Sequence, residues 1–197
     1  MKIFDQTYKR ESPCSKYVAW WNTWDHEHLF YVHKQFGSSK ILSENSTSVV
    51  IKTEYKLPLF NIKLSGFHCM FNDRENNCRV IDYLPFGIEA VTDIEFSEIN
   101  ANRSLITNRY QIFGNFVFFP LRFILPSLIK KWNKVNWEED LELKTRRSEA
   151  LKYGFKDFAG LQESYSKEND LKKYKLPLPR LKPSILDFNS VEVKDKD

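Results

Sequence analysis

The sequence is poor in the residues that build small, cross-linked or cluster-bearing domains. Its three cysteines, Cys14, Cys69 and Cys78, contain no Cys-x-x-Cys pair. A zinc ribbon, a thioredoxin-type redox pair and a thiolate-held cluster are therefore not expected in this chain. So sparse and odd a set fits a reducing compartment. Cys69 and Cys78 are expected as small buried apolar side chains rather than as a disulfide. Glycine is scarce, at six residues, which argues against collagenous or low-complexity character. No segment is apolar enough to cross a bilayer. The most apolar run, 116–129, includes Pro120, Arg122 and Pro126 and falls short of the roughly 20 residues needed. The first residues, Met1-Lys2-Ile3-Phe4-Asp5, do not read as a signal peptide. Charge of one sign is also lacking: 30 Lys+Arg against 26 Asp+Glu leaves +4, with no dense basic block. Nucleic acid is not implied as a partner. The expectation is a soluble, cytoplasmic protein.

What the chain does have is apolar and aromatic mass. Hydrophobic residues make up 42%, with 16 Phe, 9 Tyr and 5 Trp in 197 residues. That is enough for one domain with a core, or a cavity walled by large flat side chains. Residues 1–15 read as an irregular arm. From Lys16 to about Gln35, apolar residues recur at helical spacing, and Gly37-Ser38-Ser39 reads as the stop. Extended segments follow at 46–55, 59–71, 78–84, 88–99 and 104–113. After Gly114, Leu121, Leu125, Leu128, Trp132 and Val135 form one helical stripe, which Pro126 should kink or restart. The helix should run to about Tyr153 and end at Gly154. This order predicts an α+β domain over 16–160, with a curved antiparallel sheet gripping a long C-terminal helix. Residues 161–197 read as a charged tail containing Pro177, Pro179 and Pro183.

Histidine is the informative scarcity. Of four, three fall in one window, His26, His28 and His33, and the fourth is His68. Imidazoles grouped with carboxylates are a usual ligand set for Zn or non-haem Fe(II). His28 and His33 are five residues apart, about 140° round an ideal helix. Both can reach one ion only if the helix ends, bulges or unwinds between them. His68, mid-strand beside Cys69, reads as a satisfied structural histidine. Trp20, Trp24, Phe67, Phe86, Phe96, Phe113 and Trp132 are candidates for the cavity wall, each also a natural core residue.

The string Asn22-x-x-Asp25-x-x-His28-x-x-x-x-His33 resembles the catalytic-domain motif of Rieske-type non-haem iron oxygenases. It is most similar to those that demethylate aromatic ethers. Their catalytic domains belong to the START-like (SRPBCC), helix-grip superfamily, whose layout matches the one above. The resemblance implies Fe(II) held by His28 and His33. It implies Asn22 beside the iron, and Asp25 as the bridge that passes electrons from a neighbouring subunit's Rieske cluster. It also implies a carboxylate ligand late in the chain. Glu138-Glu139-Asp140 supplies Asp140, with Glu139 as the alternative because it lies about 20° off the stripe of Leu128. The competing reading of these acids is a solvated turn answered by Lys144, Arg146 and Arg147.

The chain departs from that family in one decisive respect: it has no Cys/His set for a Rieske cluster. The expected function is thus an iron site acting on a hydrophobic or aromatic molecule, fed by a separate ferredoxin, reductase or Rieske protein. The alternative is a non-enzymatic START-like carrier of a lipid or polyketide-like ligand. The apolar run 114–129, followed by Lys130 and Lys131, can also be read as a membrane-surface dock. Its favoured place is the buried face of the gripping helix and its lead-in turn.

Overall fold

A computed structural model describes residues 1–26, 28–45, 47–57, 62–72 and 77–152. Seven strands form one antiparallel sheet: β1 (Lys2–Ser12), β2 (Phe36–Glu44), β3 (Ser48–Leu57), β4 (Ile62–Asn72), β5 (Asn77–Leu84), β6 (Ile88–Asn100) and β7 (Arg103–Phe113). The order across the sheet is β1-β7-β6-β5-β4-β3-β2. Helices α1 (Lys16–Trp24) and α2 (His28–Val32) connect the two edge strands, and α3 (Leu125–Lys152) follows β7. The α+β helix-grip expectation is met. Gly154 and the tail 161–197 lie outside the described residues, as does the expected end of α3.

The first 15 residues are not an irregular arm. β1 pairs with β7 from Lys2↔Phe113 to Ser12↔Ser104. Its own apolar content is thin, so the ladder and cross-strand charges hold it. Asp5 accepts from Arg109 at 2.8 and 3.0 Å, and Arg103 pairs with Glu11. Such pairing is a property of the partner strand, and a strand's own composition does not carry it. Gly37-Ser38-Ser39 is likewise not a stop but part of β2. Register shifts there between Phe36 and Ser39, where Gly37 approaches Glu54. A Cβ at Gly37 would sit 3.0 Å from that of Glu54. The cysteine expectation agrees with the register. Cys69 faces Ile81 and Cys78 faces Asn72, and both side chains are buried.

Two apolar regions divide the space between sheet and helices. One is a packed core of Val18, Trp20 and Trp21 from α1 against Ile51, Met70 and Phe96 from the sheet. Ser15 caps α1 by accepting from the Val18 amide at 3.3 Å, which fixes the helix start. Trp20 Nε1 donates to Asn72 Oδ1 at 2.8 Å, anchoring α1 on the sheet. The other region is a cavity under α3.

Pro126 stands in the first turn of α3, where its missing N–H costs nothing. Ahead of it, Phe116–Phe123 is a 3₁₀ segment. Leu121, Leu125, Leu128 and Trp132 of the expected stripe line the cavity. The expected burial of this run is only half right: Phe116, Val117 and Phe123 are 78%, 80% and 73% exposed. A sequence run shows that a segment is apolar, but a two-sided segment can bury only one of its faces.

Candidate functional site

The cavity between the sheet and α3 holds about 420 Å³ and is walled mainly by aliphatic side chains. Of the predicted wall aromatics, Trp132 lines it. Phe96 and Trp20 belong to the packed core, while Phe67 and Phe86 are exposed. From Leu125 to Asp140, α3 runs along the cavity for about 22 Å at 1.5 Å per residue. One end is apolar, and the other carries the polar residues.

The helical window breaks where the histidines require it to break. α1 stops at Trp24, and α2 begins at His28 and ends at Val32. His33 therefore follows the helix, and its ring meets that of His28, with centroids 5.2 Å apart. One nitrogen on each ring, with an oxygen of Asp140, lies within a sphere of mutual distances under 4.8 Å. His28 Nε2 and His33 Nε2 each stand 3.3 Å from Asp140 Oδ1. Behind them, His28 Nδ1 donates to the Asp25 backbone carbonyl and His33 Nδ1 donates to Glu139 Oε2 at 2.8 Å. With both Nδ1 atoms committed as donors, the neutral rings present their lone pairs at Nε2. Asp140 Oδ1 is buried without a hydrogen-bond partner. Two imidazole lone pairs and an orphaned carboxylate oxygen form a donor set suited to a divalent transition metal.

The acidic pair has divided its work. Asp140 faces the two Nε2 atoms, whereas Glu139 sits behind His33 and orients its ring. Neither belongs to a solvated turn, because Lys144 and Arg147 are themselves buried. Lys144 Nζ donates to Asp140 Oδ2 at 3.3 Å and lies 4.6 Å from the Trp137 ring. Burial alone would raise the Asp140 pKa, but Lys144 and the two imidazoles hold it well below the usual carboxylate value. Burial likewise works to lower the His33 pKa, and the Asp140 and Glu139 carboxylates outweigh it and raise it.

Asn22 and Asp25 come together, but with Arg147. Arg147 donates Nη1 to Asn22 Oδ1 at 2.6 Å and Nη2 to Asp25 Oδ2. Its guanidinium lies 3.5 Å from the Trp21 ring centroid. Neither Asn22 nor Asp25 lines the cavity. The contact from Asp25 to His28 runs through its backbone carbonyl, and its carboxylate ties α1 to α3. His26 stands apart, 3.7 Å from Glu44 and edge-on to Trp24.

His68 is not the fully satisfied histidine its sequence position suggests. Its Nδ1 bonds Asp82 Oδ1 at 2.6 Å, and the same oxygen accepts from Tyr55 Oη at 2.6 Å. Burial, and then the Asp82 charge, push the Tyr55 phenol far above its usual range. His68 Nε2 is buried and unpartnered, on a residue that lines the cavity. Across the cavity, Asn133 Nδ2 donates to Tyr110 Oη at 2.7 Å. The side-chain oxygens of Asn108, Asn133 and Asn136 are buried without partners. Strand alternation could have placed His68 and Asn108 on the inner face. Nothing in the sequence could have paired them with α3.

No family model matches the sequence, and no curated protein matches it. Solved structures do. The Zhui aromatase/cyclase from Streptomyces sp. R1128 is similar with a TM-score of 0.61 at 10% identity, over 73% of this chain and 94% of that one. A START superfamily protein from Mycobacterium smegmatis gives 0.55 at 11%, over 75% and 98%. Norcoclaurine synthase from Thalictrum flavum, in complex with dopamine and hydroxybenzaldehyde, gives 0.55 at 12%, over 73% and 87%. None of the three is described as an oxygenase. The chain has the START/Bet v 1-like helix-grip fold.

Proposed function

We propose that this chain binds a hydrophobic or aromatic small molecule between its sheet and α3, as a START-like binding or carrier protein. The observation that carries the reading is the apolar cavity of about 420 Å³, a volume in the range of small-molecule sites. Structures of the same fold described as an aromatase/cyclase and as a complex with dopamine and hydroxybenzaldehyde support a flat or polyketide-like ligand. The orphaned His68 Nε2 and the amides of Asn108, Asn133 and Asn136 refine it. A wholly apolar guest would leave these acceptors unsatisfied, so the ligand carries hydroxyl or other hydrogen-bond donor groups on an apolar body. Native mass spectrometry of the purified protein should find such a molecule bound. Ala90→Phe, which fills the cavity from β6, should abolish uptake of an apolar fluorescent probe while leaving the fold intact. Unchanged uptake in that variant sinks the reading.

A second reading rests on the convergence of His28, His33 and Asp140. Here these three residues hold Fe(II) or a similar divalent metal at the polar end of the cavity, with Glu139 and the Asp25 carbonyl fixing the two rings. Bound iron would supply oxidative chemistry, with electrons from a separate protein. The chain's own contribution is to orient the donors and to keep water from an apolar guest. Metal analysis of wild type against His28→Ala/His33→Ala separates the readings. Metal present in the first and lost in the second supports a site, whereas a ligand without metal in either leaves the carrier alone.

A further inference from the structure

The 3₁₀ segment Phe116–Phe123 has two apolar faces. Phe118 and Leu121 line the cavity, as does Ile124 just after it. Phe116, Val117 and Phe123 point away and are exposed, at 78%, 80% and 73%, and Ile124 is 47% exposed. The β5–β6 turn adds to the same patch. Asn115 Nδ2 lies 3.5 Å from the Phe86 carbonyl, and Phe86 is 73% exposed on a left-handed backbone at φ 66°. Within the patch, Phe116 stacks on Phe119, and Arg122 lies 4.0 Å from the Phe119 ring and 4.6 Å from that of Phe123. A monomeric protein rarely leaves so many large apolar side chains contiguous and wet without a partner for them.

The exposed charges that the segment and the first turns of α3 bring to the patch are cations. From Gly114 to Trp137 the sequence has four cations, Arg122, Lys130, Lys131 and Lys134, and no carboxylate; on β7, Arg109 and Arg103 are already paired with Asp5 and Glu11. Arg122, Lys130 and Lys131 are exposed. A second copy of the chain would set these cations against themselves. An anionic bilayer answers both features, since its headgroups meet the cations and its acyl region takes the aromatics. It is also a phase from which an apolar guest can reach the cavity through the same segment.

We infer that Phe86 and the Phe116–Ile124 segment dock on an anionic membrane surface, laying the apolar end of the cavity against the lipid. The inference does not require the cavity to be filled. Flotation with phosphatidylcholine vesicles, with and without phosphatidylglycerol, tests it. The wild-type protein should float with the anionic vesicles, more weakly as salt rises. Phe116→Ser/Val117→Ser/Phe123→Ser changes only exposed side chains and should lower the bound fraction at least tenfold, with an unaltered circular dichroism spectrum. Lys130→Glu/Lys131→Glu should weaken binding to anionic vesicles and leave the apolar patch in place. A wild-type protein that stays down with both vesicle types overturns the inference, as does a serine variant that floats equally well. Concentration-dependent self-association abolished by the serine changes, without flotation, would reassign the patch to a homodimer.

Discussion

Arg147→Met tests how α1 and α3 are joined and what Asp25 does. The change keeps an apolar stem on Trp21 but removes the guanidinium from Asn22 and Asp25. Asn22 is fully buried, so its Oδ1 loses a partner that water cannot replace. Asp25 keeps 26% of its side chain exposed, and water can reach it. Breaking a fully buried pair costs about 3–5 kcal/mol, and partial exposure on one side places this change near the lower end, about 3 kcal/mol. For a domain of this size that is about 6–12 °C in Tm. Urea unfolding followed by tryptophan fluorescence should show the midpoint fall with the slope unchanged. A double-mutant cycle with Asp25→Asn should give a coupling of about 1–2 kcal/mol, because each change breaks the same contact. A loss under about 1 kcal/mol, or additivity of the two changes, would refute the reasoning and release Asp25 for another role.

Further predictions concern the cavity and its polar end. If the triad binds metal, a hundredfold excess over Kd should stabilise the protein by about 2.7 kcal/mol, seen as a Tm rise of about 5–11 °C. The same rise in His28→Ala/His33→Ala would sink the site. His68→Leu should reduce the preference for 2-naphthol over naphthalene by about two- to tenfold in probe titrations, the worth of one hydrogen bond. Equal preference in both proteins would show that His68 Nε2 meets no ligand. Burial, and then the Asp82 charge, push the Cys69 thiol up to about 12 from an ordinary 9.0. Cys69 should therefore resist iodoacetamide at pH 8 in the folded protein and react in urea. Because the shift is upward, its contribution to stability is complete below about pH 9 and falls as pH climbs towards 12. Rapid native labelling would contradict that.

The fold was legible where periodicity is a property of one segment. The strands from β3 to β7 and the stripe of α3 follow from their own alternation or 3–4 spacing. What was not legible depended on a partner. β1 has little apolar content, and its strand state comes from β7 through pairs such as Asp5 with Arg109. Gly37 is a strand residue because Glu54 passes close by. The outward face of Phe116–Phe123 could not be told from its inward face by composition.

The site shows the same division. The spacing of His28 and His33 demanded a break in the helix, and the break is there, between Trp24 and His28 and again after Val32. The choice between Glu139 and Asp140 was open in the sequence because adjacent residues on a helix differ by about 100° and either can face a given partner if the helix rolls. Position against the histidines separates the two acids. Asp140 meets both Nε2 atoms, and Glu139 is left to hold His33 from behind. The same roll turns Lys144 inward, one turn after Asp140. Burial alone would favour the protonated carboxyl, whereas the ammonium on its other oxygen, together with the two imidazoles, keeps it an anion. The feature that made this acidic turn look solvated, its run of nearby cations, is thus what allows one of its acids to face the cavity charged.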